Sequence, residues 1–355
     1  QETVELLTVG IDIGSSTSHL LFAKVTMRRH AQGLSSRFIV TDREVVWRSP
    51  IIFTPFLPDG TIDVSRLEAF LQDAYRKAGY ERQDIDSGAV ILTGEAIKRK
   101  NARAIDELFA GEAGNFVCAT AGHKLESTLA AHGSGAVQLS KDRGECFLHM
   151  DIGGGTTKLA LIDCGRICGV SAFAVGGRLL GTDDLGIWNR VDKSAQMAAD
   201  DLGLPTDAKT LANPEVRQQI AHRLAMVAVD YILGGPLDRL GKLLQLTEIL
   251  PRSVEPTAFS LSGGVSEYIF GREDKDYGDI APMLAGELRA QLAERANLPV
   301  LDPGQGIRAT VIGASQFTVQ VSGKTIYLSD RTVLPVHNVP VVRVDLDLSG
   351  DIDPI

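Results

Sequence analysis

The sequence predicts a mixed α/β chain built by internal duplication. One observation is a repeated loop: "VGIDIGSSTSHLLF" near the start and "LHMDIGGGTTKLAL" well over a hundred residues later. Asp12-Ile13-Gly14 answers Asp151-Ile152-Gly153, Thr17 answers Thr156, and Leu20 answers Leu159. The other is that each loop sits in a strand meander followed by alternating helical and extended segments. The period is far too long for a solenoid.

The elements follow in order. Residues 7–25 read strand, glycine turn, strand, with "LLTVGI" and "HLLFAKV" flanking "GSST". "REVVWRSPIIFTPF" (43–56) is β-rich and broken by Pro50 and Pro55. Ser65 to Glu68 has capping-box spacing and opens a helix with Leu67, Phe70, Leu71, Ala74 and Tyr75 on one face, ending near Gly79. "SGAVILTG" (87–94) is a buried strand before a basic helix, and "NFVCATAG" (115–122) is another strand. Residues 124–139 read helical until the glycines of "HGSGA". A meander follows over 145–151, 157–163 and 167–175. Asn213-Pro214-Glu215 starts a helix that ends at Gly234-Gly235. "AFSLSGG" (258–264) is a strand running into a glycine pair, 281–297 an amphipathic helix, "RATVIGAS" (308–315) a strand, and the tail over 317–347 is β.

At 355 residues and 44% hydrophobic, the chain holds one large or two ordinary domains with real cores. Its net charge of −9, from 45 acids and 36 bases, argues against a nucleic-acid partner. The basic runs at 97–103 and 27–30 read as a solvated helix face and a loop. The four cysteines, Cys118, Cys146, Cys164 and Cys168, lack zinc spacing, and the seven histidines show no metalloprotease pattern. Reduced thiols in the cytoplasm are the better reading. No stretch reaches the ~18 apolar residues of a membrane helix, and no signal peptide opens the chain. The first residue is Gln rather than Met, so a trimmed N-terminus is expected.

In the first loop, Asp12 stands where the chain leaves the sheet. Gly14 lets the turn bring backbone N–H groups to a ligand, and such groups in succession form an anion-binding concavity. Ser15, Ser16 and Thr17 add hydroxyls. A carboxylate beside a phosphate cradle calls for a cation between them, usually hydrated Mg2+. For one loop alone, a plain hairpin with a solvated acid is the better reading. The second loop, with Gly153, Gly154, Gly155, Thr156 and Thr157 after Asp151, reverses that choice. A plain turn does not need three glycines and two threonines, whereas two facing loops would clamp a polyphosphate. Gly263-Gly264 in "LSGGVSEY" would let a base or ribose lie against the backbone. "ESTLAAHGSGA", with Glu126 and the small residues Ala130, Ala131, Gly133, Gly135 and Ala136, and "TVIGAS", with Gly313, suit closely crossing helices at a hinge. Each of these three is weak alone, with ordinary packing as the bland reading.

Taken in order, the five motifs resemble those of the sugar kinase, heat-shock chaperone and actin superfamily. Phosphate-1 matches 12–17, connect-1 126–136, phosphate-2 151–157, the adenosine motif 261–266 and connect-2 310–315. The resemblance implies a duplicated ribonuclease H-like, actin-like fold. Residues 1–135 with 311–355 would form one domain and 136–310 the other, around a cleft for ATP or ADP and Mg2+. It further implies metal-holding by Asp12 and Asp151, positioning of water by Glu126, phosphate contacts at 14–17 and 153–157, and adenosine contacts at Gly263, Gly264 and the Gly313 region. "VVWRSPIIFTPF", "DSGAVILTGEAIKRKNARA", "AVGGRLLGTD" and "RATVIGASQFTVQVSGKTIYL" are similar to the reactivating-factor family of ethanolamine ammonia-lyase. That narrower resemblance implies a weak, chaperone-like ATPase that frees damaged cobalamin from the lyase. It acts in the cytoplasm or its ethanolamine microcompartment, without membrane or nucleic acid, and a homodimer is left open. Family members run on beyond residue 355, and 181–200 is short and irregular for the family. The runner-up is a small-molecule kinase, with Asp183 or Asp184 as conceivable base. The third reading is a filament-forming actin relative.

Overall fold

The computed structural model describes residues 3–29, 36–57, 61–93, 108–109, 116–120, 122–183, 185–317 and 322–323. Two sheets organise it. The first holds β1 (Thr3–Ile13), β2 (Thr17–Arg29), β3 (Ser36–Arg48), β4 (Ile52–Phe53), β5 (Ser87–Leu92) and β6 (Phe116–Thr120). The second holds β7 (Cys146–Ile152), β8 (Thr157–Asp163), β9 (Arg166–Phe173), then, after the hairpin of β10 (Leu180–Thr182) and β11 (Trp188–Val191), β12 (Ala258–Ser262) and β13 (Val300–Leu301). A short β14 (Ser322–Gly323) edges the first sheet against β3.

The duplication is visible in the strand order. The first sheet runs β3-β2-β1-β5-β6 and the second β9-β8-β7-β12-β13. In each, three antiparallel strands lead and two more lie parallel to the first of them. This is the ribonuclease H-like order, occurring twice, as in actin-like ATPases. Register repeats too: Asp12 pairs with His19 as Asp151 pairs with Lys158. Strands buried on both faces, such as the wholly buried β7, read as continuous apolar runs.

Ten bounded α-helices join these sheets among the described residues, besides a 3-10 turn at Arg82–Asp84 and helical residues 108–109. They are α1 (Val64–Ala78), α2 (His123–Gly133), α3 (Ala136–Arg143), α4 (Lys193–Asp201), α5 (Ala208–Leu211), α6 (Pro214–Leu233), α7 (Arg239–Leu244), α8 (Gly264–Ile269), α9 (Ala281–Arg295) and α10 (Ala309–Phe317). α6 begins at the Asn213 cap with proline at its first turn and stops at left-handed Gly234, as its sequence requires. Among the described residues, no helix is long and apolar enough to cross a membrane.

Three expectations change. The cap of α1 is Asp63, whose carboxylate accepts from the Arg66 amide at 3.1 Å, so Ser65 lies inside the helix rather than capping it. Helix resumes after "HGSGA" as α3, because left-handed Gly135 turns the chain and starts a new helix. Residues 309–317 are helix, not strand. Thr310, Val311 and Ile312 read as β-branched strand formers, yet α10 is wedged between α2 and β1, where close packing outweighs propensity. The basic run at 97–103 and most of the tail at 317–347 lie outside the described residues.

Candidate functional site

The two repeated hairpins meet across a cleft of about 390 Å3. Each loop closes the same way: the Gly14 amide donates to Thr17 O at 2.9 Å, and the Gly153 amide to Thr156 O at 3.0 Å. Thr54 Oγ1 braces the first loop by donating to Gly14 O at 2.7 Å. The "VGGR" segment braces the second, with the Gly177 and Arg178 amides donating to the carbonyls of Gly153 and Gly154 at 3.0 and 2.7 Å. The jaws touch at their tips. A Cβ on Gly154 would stand 2.2 Å from Ser16 Oγ, so only glycine permits this approach.

Asp12, Gly14, Ser15, Ser16 and Thr17 line the cleft from one side, and Asp151, Gly153, Gly154, Gly155 and Thr156 from the other. Glu126, Gly263 and Gly264 join them. Gly263 (φ 87°) lies against β7, where a Cβ would fall 2.4 Å from Ile152 O. Beside this pair, the Glu267 carboxylate accepts from the Ile307 amide at 2.8 Å and pairs with Arg272 Nε at 2.7 Å, forming a polar wall.

Two residues expected at the ligand stand elsewhere. The hydroxyl of buried Thr157 donates to Val175 O at 2.8 Å, tying β8 to the segment that follows β9. Gly313 does not line the cleft; a Cβ there would fall 2.1 Å from Leu129 O, so its role is the crossing of α10 over α2.

The floor carries three carboxylates and one ammonium. Glu126, Asp151 and Lys158 are buried. Lys158 Nζ lies 3.2 Å from Glu126 Oε1 and 3.9 Å from Asp151 Oδ2. Burial works against the Lys158 charge, but Glu126 and Asp151 more than offset it and raise its pKa. Burial also works against Glu126 ionisation, yet Lys158 and His123 hold that carboxyl below its ordinary range. Asp151 is pushed up by burial. Its Oδ1 accepts from Ser262 Oγ at 2.7 Å, and Ser262 in turn lies 3.1 Å from His149 Nε2. Burial, then the Glu126 charge, pushes Asp12 up to about 7. Asp12 Oδ1 has no hydrogen-bond partner among the described residues.

Lys158 carried no weight in the sequence reading, although a lone charge inside the apolar run "TKLALI" is a signal. His19, its counterpart in the first hairpin, also faces the cleft, with both ring nitrogens unpartnered among the described residues. Across the mouth, the Arg178 guanidinium lies 3.9 Å from the Phe53 ring centre, and Tyr277 meets the same ring edge-on at 6.1 Å. Arg178 is anchored to Asp279 at 3.3 Å. Asp183 serves its own loop, accepting from the Leu185 and Ile187 amides at 2.9 and 3.0 Å, and does not line the cleft.

The sequence as a whole has known relatives. Residues 4–352 match the family described as "Ethanolamine utilisation protein EutA". The chain belongs to the EutA family. It is 40% identical over 355 residues to the "Ethanolamine ammonia-lyase reactivase EutA" of Escherichia coli (strain K12), covering 98% of this chain and 75% of that relative. The reactivase of the same name from Salmonella typhimurium (strain LT2) is 40% identical over 353 residues, covering 98% and 74%. Among solved structures, component A of the (R)-2-hydroxyglutaryl-CoA dehydratase of Acidaminococcus fermentans overlaps with a TM-score of 0.41 at 12% identity, covering 88% of this chain and 97% of that one.

The residues present suit a nucleotide with a cation. Glycines and hydroxyls line the cleft from both sides, and the orphaned Asp12 oxygen suits a hydrated divalent ion. Asp151 differs from the expectation that both acids hold metal, because one of its oxygens takes the Ser262 hydroxyl and the other faces Lys158. Among the described residues, no group of three or more acid, His or Cys side chains is arranged as a metal cage.

Proposed function

We propose that this chain is an ATP-dependent reactivating factor for adenosylcobalamin-dependent ethanolamine ammonia-lyase. The observation that carries the reading is its 40% identity, over nearly its whole length, to two proteins named for that activity. Its client would be the lyase whose cofactor has lost the adenosyl group. The duplicated cleft supports nucleotide as the driving ligand.

Backbone amides and hydroxyls of 15–17 and 154–156 would receive the phosphates, and Gly263-Gly264 the adenosine. Asp12 would face Mg2+ across water. Mg-ATP, when bound, would supply the phosphoanhydride whose slow hydrolysis switches the jaws. Glu126, held ionised by Lys158, would orient water at the terminal phosphate. Residues 1–135 with 311–355 would move against 136–310 about the α2–α10 crossing, and that movement would open the lyase to release damaged cobalamin. Of the two candidate bases of the kinase reading, Asp183 is committed to its own loop, and Asp184 lies outside the described residues.

The test is thermal unfolding with and without Mg-ADP. A ligand that binds only the folded state raises the midpoint by mass action. The midpoint should rise for wild type and rise less for Gly264→Val, whose side chain would crowd Ile307 and the adenosine seat. No rise at saturating nucleotide would remove the reading.

A further inference from the structure

The cleft floor holds a positive charge of its own. Lys158 extends from β8, directly opposite Asp151 in the β7–β8 ladder, so the strand register fixes where its ammonium emerges. Its side chain is only 9% exposed and ends beneath the second glycine loop, where a Cβ on Gly153 would be 3.7 Å from Nζ. It lines the same cleft as the loop tips. A buried ammonium persists only when paired, and here Glu126 and Asp151 supply the pairing. An ammonium has three donors. With one carboxylate at 3.2 Å and the next at 3.9 Å, it has capacity for a further anion.

We propose that Lys158 is a resident cation for the phosphates of a bound nucleotide, so that this cleft takes nucleoside diphosphate without an obligatory divalent metal. This rests on the reading of the cleft as a nucleotide site. The geometry divides the two acids. Asp151 has the Lys158 ammonium 3.9 Å from one oxygen and the Ser262 hydroxyl on the other, whereas Asp12 Oδ1 has no hydrogen-bond partner among the described residues. Of the two acids, Asp12 alone is left for an external cation. A divalent ion then adds to binding through Asp12 rather than making binding possible.

The experiment measures ADP and adenosine affinity by calorimetry, with excess Mg2+ and with excess EDTA, for wild type, Lys158→Gln and Lys158→Arg. A charge-assisted contact sets the scale at roughly 10- to 100-fold in affinity. Wild type should lose less than about tenfold in ADP affinity on moving from Mg2+ to EDTA. Lys158→Gln should lose a further ~10- to 100-fold in EDTA, with a smaller loss in Mg2+. Lys158→Arg should behave like wild type, and adenosine, which has no phosphate, should bind all three alike. The adenosine arm separates a lost phosphate contact from general damage to the cleft. Should Lys158→Gln fail to fold, the wild-type ratio and Lys158→Arg decide alone. The proposal is overturned if wild-type ADP binding collapses in EDTA, or if Lys158→Gln shows the wild-type ratio. If wild type binds ADP in neither condition, the nucleotide reading falls and this proposal with it.

Discussion

Gly313→Ala adds one methyl group where the structure leaves no room for it. The new Cβ would lie 2.1 Å from Leu129 O and 2.7 Å from its carbonyl carbon, against an ordinary contact of 3.4 Å or more. Relief requires α10 and α2 to part by about 1.3 Å, the difference between 3.4 and 2.1 Å. Both obstructing atoms are backbone, so no side chain can swing aside. Retreat is blocked too: on the other side of α10, a Cβ on Gly10 would meet Val311 O at 2.7 Å, so β1 is already in contact. Overpacking of this kind costs roughly 1–3 kcal/mol, and the upper end applies where neighbours are rigid. Alanine recovers up to about 1 kcal/mol through its better helix propensity. The net is a destabilisation of about 2 kcal/mol. The matched control is Gly286→Ala in α9, an exposed helical glycine with nothing within 4 Å of the added Cβ. It should gain up to about 1 kcal/mol. Urea unfolding of both variants beside wild type reads the two shifts in opposite directions. Equal midpoints for Gly313→Ala and Gly286→Ala would refute the claim that backbone contact at this crossing sets the fold.

Three further outcomes are expected. Burial lowers the pKa of His149 from 6.5 to about 3. Folding therefore favours the neutral ring, and stability is lost as pH falls below 6.5, by up to ~1.4 kcal/mol per pH unit; His149→Gln should flatten that slope by one proton, as read by urea midpoints between pH 6 and 4. Asp12, raised from 3.8 to about 7, costs the nucleotide-free protein stability as pH rises through that window; Asp12→Asn should gain on wild type across it, by a few times ~1.4 kcal/mol at most, while losing Mg-dependent hydrolysis. Phe53→Ala removes the clasp with Arg178 and Tyr277, contacts worth about 1–2 kcal/mol together, and should speed release of a fluorescent nucleotide roughly 5- to 30-fold in stopped flow.

Sequence alone carried much of the architecture because each half writes its meander in apolar runs broken by glycine. The hairpins at 12–17 and 151–157 share register as well as composition, so their residues converge on one cleft. α10 was misread because it is buried all round: Ala309, Val311, Ile312 and Ala314 leave no polar face to give a helical period. Thr157 was assigned to a ligand because threonine in a glycine loop suggests a phosphate donor; strand alternation turns it toward Val175 instead. The Asp151–Lys158–Glu126 floor joins β7, β8 and α2, and pairing a strand lysine with a helix acid requires the fold. His149, Ser260 and Ser262 were likewise hidden, since their hydrogen bonds cross from β7 to β12.

The most direct measurement is recovery of a stalled lyase. Ethanolamine ammonia-lyase inactivated with cyanocobalamin is incubated with this chain, free adenosylcobalamin and Mg-ATP, and both released cyanocobalamin and regained activity are followed. The account expects both to appear together, and only when nucleotide is present. If no cyanocobalamin leaves the lyase while a small sugar or alcohol speeds ATP consumption many-fold, the reactivase account is contradicted and the kinase takes its place.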